Sequence, residues 1–324
     1  MNAVGKRNNL SKWRRRCGVL LVAVAGLAHG APGGISAMPI PAADKAPLVN
    51  AVRAGSRIIA LGDHGVVVLS VDGGRWRQAN HVAVSSPLTA LWFIDGKNGW
   101  GVGHGGVILR TSDGGGSWRL QHVVENEPAL LSVWFENGLH GIVTGGYGAA
   151  YETHDGGQSW QRLKVADGAN ADRHLNAIIP LRPDTLFIAG EGGAAYRSTD
   201  SGRTWTALQT GTSGSLWNGL ALRDGSILLF GMSGRVIISR DKGETWQSVD
   251  SGTHNALTSG VQLNDGRVVL AGNGGAVGVA AEPVRRFETT VRPDRQNIAA
   301  VAAAEGNAVL LFNQQGVSQH VLPK

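Results

Sequence analysis

The residues with the plainest chemical potential in this chain are its three tyrosines, Tyr147, Tyr151 and Tyr196, and a set of evenly spaced aspartates. A phenol paired with a carboxylate can act as a nucleophile in glycosidic cleavage, provided arginines hold an acidic sugar and a further acid assists. The aspartates point elsewhere. Asp72, Asp113, Asp155, Asp200 and Asp241 each sit in the pattern Ser/Thr-x-Asp-x-Gly-x-Ser/Thr-Trp, which ends in Trp76, Trp118, Trp160, Trp205 and Trp246, with the first copy shortened. In a turn of this kind the carboxylate accepts backbone N–H bonds and the Gly takes a positive φ, while the Trp enters the next strand and buries roughly 150–250 Å². Carboxylates used in this way are fasteners. Tyr151 and Tyr196 occupy matching places in the repeat, as packing residues would. His64 and His104 lie in neighbouring units and could approach one ion together with Asp63, but they lack the close spacing of a metal motif. No metal and no cofactor is expected.

The elements that position these residues are repeats. Gly-x-x-Gly stands at a fixed distance before each Asp, at Gly62 and Gly65, Gly103 and Gly106, Gly145 and Gly148, Gly190 and Gly193, and Gly231 and Gly234. A sixth copy, Gly272 and Gly275, points at Glu282, where the Asp pattern has decayed, and a seventh trace runs from Asn313 to Gly316. The period is a little over forty residues, the range of propeller blades. Within each unit, runs of Val, Ile and Leu are separated by Gly, Asp and Asn, which reads as four short strands. The fold class is therefore all-β, a seven-bladed β-propeller of four-stranded antiparallel blades. The last unit ends in its third strand, so the segment from Ile35 to Ala42 is expected to supply an outer strand that closes the ring. Pro39 and Pro41 are tolerable on such an edge.

These repeats, with Trp92-Phe93 and Trp134-Phe135 after the first strand of their units, resemble the family of the photosystem II assembly factor Ycf48, called Hcf136 in plants. The resemblance covers roughly residues 42 to 324. It implies a seven-bladed propeller that helps assemble a membrane protein complex and is not an enzyme. The alternatives are an Asp-box glycoside hydrolase of the sialidase-like type and a propeller that binds a small ligand. The Phe/Tyr-Arg-Ile-Pro segment typical of sialidases is absent.

Residues 1–30 read as a secretory signal peptide, and 31–324 as the propeller domain. Lys6, Arg7, Lys12, Arg14, Arg15 and Arg16 precede an apolar run from Cys17 to Ala28 that is short for a membrane span. Arg15-Arg16 loosely fits a twin-arginine signal. A periplasmic or otherwise exported location is expected. The whole chain carries 30 basic and 24 acidic residues; without the six leader bases the charges balance, so the high pI is no sign of nucleic-acid binding. The single cysteine, Cys17, lies in the leader, so the mature chain is expected to have no disulfide and no thiol nucleophile.

Connectivity sorts the remaining candidates. The turns between second and third strands share one face with the connections between blades, and the Asp turns lie opposite. Varied tips on the first face, among them His64, His104, Tyr147 and Glu191, suit recognition. A polar residue near the start of each first strand, namely Asn50, Thr89, Ser132, Asn176, Asn218, Thr258 and Asn297, is expected to ring the channel mouth and bond a neighbouring blade. Arg285, Arg286, Arg292 and Arg295 crowd the stretch from Glu282 to Gln296, which suggests one basic loop that docks an acidic partner. The resulting expectation is a monomeric, non-catalytic platform for a membrane or envelope protein client, with no membrane span of its own after cleavage.

Overall fold

The computed structural model describes residues 36–182 and 184–323; the expected leader lies outside them. Seven sheets follow one another along the chain, each built on antiparallel strands that are consecutive in sequence. Their innermost strands are Leu48–Ala54, Leu88–Phe93, Leu130–Phe135, Leu175–Arg182, Leu216–Ala221, Leu257–Gln262 and Ile298–Ala303, and the first packs against the seventh to close the ring. The second strands are the driest. Ile227–Gly231, sequence ILLFG, is wholly buried, because neighbouring blades cover both of its faces and no polar alternation is needed. The blade-to-blade core at closure joins Leu48, Ile58, Ala60 and Val68 of blade 1 to Ala300, Leu310 and Phe312 of blade 7.

Gly-x-x-Gly is a crossing point for backbone. Its second Gly sits in a tight turn, such as Asp63–Val66, in which both central residues have positive φ, His64 at 56° and Gly65 at 69°. The chain leaving the blade's outer strand passes directly over that Gly. A Cβ on Gly148 would lie 1.8 Å from the carbonyl oxygen of Ala171, and one on Gly193 would lie 1.9 Å from that of Thr212. The first Gly meets the chain entering its own blade: a Cβ on Gly62 would lie 1.8 Å from the oxygen of Pro47.

The N-terminal segment closes the ring differently from the expectation. Residues 36–42 form no strand, and the seventh sheet has three strands, the third being Gly316–Val321. The segment instead acts as the missing connector. The Asp44 oxygen lies over Gly316 at 1.8 Å from a hypothetical Cβ, the place taken elsewhere by a carbonyl of the chain between blades. Upstream, Ile40 N–H donates to Gln78 Oε1 in the outer strand of blade 1 at 2.8 Å and Ala37 N–H to the oxygen of Val82 at 3.0 Å, which ties the segment to the outer side of blades 1 and 2. A further departure is at blade 2, where His81–Val82 adds a parallel fifth strand beside Ser117–Val123.

The Asp turns are closed hydrogen-bond circuits. In blade 5, Ser239 Oγ donates to Asp241 Oδ1 at 2.8 Å and accepts Gly243 N–H at 2.7 Å, while Asp241 accepts the Thr245 N–H at 2.9 Å and its hydroxyl at 2.5 Å. Blades 2, 3 and 4 repeat this circuit around Asp113, Asp155 and Asp200. In the shortened first copy, Asp72 takes the N–H groups of Gly74 and Arg75. The Trp indole N–H then bonds the turn's own Gly carbonyl, from 2.8 Å for Trp205 to 3.2 Å for Trp160; Trp246 lacks this bond. Each turn also docks on the preceding blade, Trp76 against Phe312 and Trp246 against Phe187.

Two outcomes are expected. Gly105 and Gly106 both have positive φ, but a Cβ on Gly105 meets nothing, whereas one on Gly106 would lie 2.1 Å from the Val124 oxygen. Gly105→Asn should therefore leave the melting temperature within a few degrees. Gly106→Ala should cost roughly 3 kcal/mol or more, combining left-handed strain with a backbone clash; equal melting temperatures would contradict the crossing. Secondly, the Thr245 hydroxyl, the Thr245 N–H and the Ser239 hydroxyl hold the Asp241 carboxyl down at about 2, against an ordinary 3.8. A depressed folded-state value means that the turn's contribution is complete above the ordinary value and is lost as pH falls through about 2. A carbon-detected NMR titration should place the Asp241 midpoint there, and Thr245→Val should raise it.

Candidate functional site

A register shift follows the first residue of every innermost strand, at Leu48, Leu88, Leu130, Leu175, Leu216, Leu257 and Ile298. The bulge turns the next two residues toward the channel or the neighbouring blade. The expected single polar ring is therefore two layers. Thr89, Asn176 and Thr258 occupy the outer layer with Val49, Leu131, Trp217 and Ala299, while Asn50, Ser132 and Asn218 lie one residue further in, where blade 6 contributes Ser259. Asn297 precedes its strand and stays outside the channel, where its Oδ1 accepts the Gly274 N–H.

Most of these groups are spent on the scaffold. Thr89 Oγ1 donates to the Leu130 oxygen at 2.6 Å, Asn176 Nδ2 to Leu216 at 2.8 Å, Thr258 Oγ1 to Ile298 at 2.6 Å and Asn218 Nδ2 to Thr258 at 3.2 Å, each on the next blade. Ser132 and Ser259 accept the N–H groups of Ile178 and Val301. The channel between them encloses about 460 Å³.

At the connector face the channel opens into a depression of about 310 Å³ lined by Asp63, His104, Thr89, Asn176, Trp217 and Pro87. Trp217 is half-buried and makes no hydrogen bond through its indole among the described residues. Sequence reasoning passed over it because its position carries a Val, Thr, Leu, Asn or Ala in the other blades. His64 is exposed on a neighbouring tip and is not part of this lining. Tyr147 and Glu191 are drawn together by the connector between their blades. The Tyr147 ring meets His174 edge-on at 4.9 Å, Glu191 Oε2 accepts the His174 N–H at 3.2 Å, and Arg173 Nη1 donates to the oxygens of Glu191 and Gly192.

The four arginines do not form one loop. Residues Glu288–Val291 are the outer strand of blade 6, a Glu-Thr-Thr-Val run whose β-branched residues favour extension, and it separates Arg285 and Arg286 from Arg292 and Arg295. Arg286 pairs with Glu288 at 3.1 Å. Arg292, largely covered, is held by Asp294 at 2.6 Å beside Gly275. Arg295 is exposed on the connector face with a φ of 50°.

Of the tyrosines, Tyr151 does face an acid: its hydroxyl donates to Glu127 Oε1 at 2.5 Å, under Arg162, whose guanidinium lies 5.2 Å from the ring centre. Burial, and then the bond to Glu127, push its phenol upward, away from nucleophilic activation. Tyr196, at the matching position, is buried with its hydroxyl unpartnered. Neither lies on the channel lining. No helix among the described residues is long and apolar enough to cross a membrane.

Residues 68–309 match the family model of photosynthesis system II assembly factor YCF48. No curated protein matches the chain in sequence. Among solved structures, YCF48 bound to a D1 peptide aligns with a TM-score of 0.68 at 18% identity, over 90% of this chain and 97% of that one. YCF48 from Cyanidioschyzon merolae aligns with a TM-score of 0.66 at 17% identity, over 87% and 97%. Virginiamycin B lyase from Staphylococcus aureus, at 9% identity, covers 86% of this chain and 96% of its own with a TM-score of 0.72. At such identities the likeness to these structures is one of fold, and it spans assembly factors and an enzyme alike.

The hydrogen bonds between blades imply that the polar layers are structural. Thr258→Val keeps the side-chain shape but removes the one hydroxyl hydrogen that reaches the Ile298 oxygen and, at longer range, that of Ala271. Chemical denaturation should show a loss of about 1–3 kcal/mol. An unchanged midpoint would mean that these bonds do not join blades 6 and 7.

Proposed function

Because the chain belongs to the family of photosynthesis system II assembly factor YCF48, we propose that it is a non-catalytic platform that holds an extended peptide segment of a membrane-protein client across the connector-face mouth of its channel. The observation that carries this reading is the composition of that mouth. Trp217 of blade 5 offers a large ring face at little entropic cost, facing Asp63 and His104 of the adjacent blades 1 and 2, while the polar layers beneath are already committed to neighbouring blades. Tyr147 extends the apolar surface outward, 66% exposed on its tip. A family relative has been solved with a D1 peptide bound, which is the same class of ligand.

A rigid ring suits this task. Its tips vary while its crossings do not, so recognition can change without refolding. Asp63 and His104, side by side on adjacent blades, would offer an acid and an imidazole to the backbone amides of a bound strand. The basic run and apolar stretch of residues 1–28 argue that the client is met outside the cytoplasm.

The test begins with crosslinking of the tagged protein in its own host's solubilised envelope, followed by peptide mapping of the recovered membrane proteins. The mapped segment, made as a labelled peptide, is then titrated by fluorescence polarisation, since ten tryptophans crowd the intrinsic signal. Trp217→Ala should weaken binding about tenfold or more, the loss of about 1.4 kcal/mol or more expected of an aromatic anchor. The double variant Arg285→Ala, Arg286→Ala should bind as the parent does. Full affinity in Trp217→Ala and in His104→Ala would remove the mouth from consideration.

A further inference from the structure

On the opposite side of blade 3 from the tip of Tyr147, a turn and a strand end bring two imidazoles and two carboxylates together. His140 precedes the strand Gly141–Gly145, and Glu152 and His154 flank the end of the strand Ala150–Thr153, next to Asp155. His140 Nδ1 lies 3.0 Å from Glu136 Oε2, and His140 Nε2 lies 2.8 Å from Glu152 Oε1. The other Glu152 oxygen lies 3.4 Å from His154 Nε2. The two imidazole rings are parallel, 5.1 Å apart, and Trp134 packs edge-on against His140 at 5.7 Å.

The proton inventory does not close on this cluster. A neutral imidazole has one N–H, and carboxylates only accept, so His140 in that form can satisfy Glu136 or Glu152 but not both. With the N–H turned to Glu136, the Nε2 lone pair and a Glu152 oxygen face each other at 2.8 Å with no hydrogen between them. Something positive belongs there. It is either a second proton or a cation.

We propose that His140 Nε2, His154 Nε2 and the Glu152 carboxylate form a binding site for a divalent transition-metal ion of the zinc class. Among the described residues, this is the group whose donor atoms all converge within 4.8 Å of one another. Two imidazoles and one carboxylate are a zinc donor set, and metal–donor bonds of about 2.0–2.2 Å place tetrahedral donors about 3.5 Å apart, which a small movement of the exposed His154 achieves. Glu136 completes the arrangement. It orients His140 from behind, as a carboxylate does for a metal-bound imidazole, and is itself held by the Ser201 hydroxyl at 3.1 Å. His140 is 7% exposed, while the His154 side chain is 63% exposed, so an ion enters from solvent and keeps a position open to water or to an outside ligand. A bound ion would link the turn before the second strand to the Asp turn of the same blade and, through Glu136 and Ser201, to the Asp turn of blade 4.

The decisive measurement uses the full mature protein carrying no polyhistidine tag. Zinc titrated by calorimetry should bind one ion per chain and raise the melting temperature with zinc concentration. Cobalt at the same site should develop the visible absorption of a tetrahedral nitrogen and oxygen set. His154→Ala, an exposed change that leaves the core untouched, should weaken zinc at least about tenfold and abolish the cobalt bands; Glu136→Gln should weaken it about tenfold while leaving the bands in place. His254→Ala, on an exposed loop elsewhere, should change neither. Absence of saturable binding in the parent, or unchanged zinc affinity in His154→Ala, would overturn the site. None of these readouts depends on the peptide site.

Discussion

The structure depends on how closely one stretch of backbone can cross another. A blade whose outer strand leads into the next blade's inner strand must send its chain back across its own sheet. The chain passes at the turn between the second and third strands. At Gly65, Gly106, Gly148, Gly193, Gly234 and Gly316 the passing carbonyl leaves room for a hydrogen and not for a methyl group. The same turns require positive φ, so sterics and dihedral preference select glycine twice over. Sheets set at any greater separation would lose contact between the wholly buried second strands on which blade packing rests.

That crossing also explains how the ring closes. At Gly316 the passing oxygen belongs to Asp44, from the other end of the described chain, so the N-terminal segment supplies the connector that blade 7 would otherwise send forward. A connector carbonyl meets the need with one contact, and the core between blades 7 and 1 then assembles as it does elsewhere. The outermost edge of the seventh sheet is left one strand short, while the inner strands, where most of the apolar surface lies, are complete. Closure is thus an inner-ring event. The Asp turns reinforce it further out by fixing each Trp against the blade behind.

Periodicity made the blades, the crossing glycines and the Asp circuits legible, because each is stated seven or five times in residues with narrow conformational roles. What failed was whatever the repeat does not state. The polar ring was drawn as one layer because spacing alone does not reveal the bulge after Leu88 or Leu130, and one residue of shift moves a side chain to a different layer. The arginines looked like one loop because the decayed Asp pattern hid the strand Glu288–Val291. The closing strand was expected from strand counting, whereas the chain needed only a carbonyl. His140, Glu152 and His154 were invisible because a hairpin, and no local motif, brings them together.

The tips of the second-to-third-strand turns carry a signal of a different kind. Their first central residue is Gly at positions 105, 192 and 274, with φ from 62° to 72°, so the scaffold asks for no side chain there. Blades 1, 3 and 5 nonetheless place His64, Tyr147 and Ser233 in that conformation, at φ of 56°, 53° and 56°. Each costs about 1–2 kcal/mol relative to glycine. His64 and Tyr147 return little of that cost in packing, since both are exposed; the Tyr147 ring meets the His174 ring edge-on. Strain of this kind is one that the scaffold itself does not explain. Blades 1 and 3 flank the blade that carries His104, and Trp217 lines the same mouth from blade 5, so the strained tips stand on the connector face outside the lining of the depression.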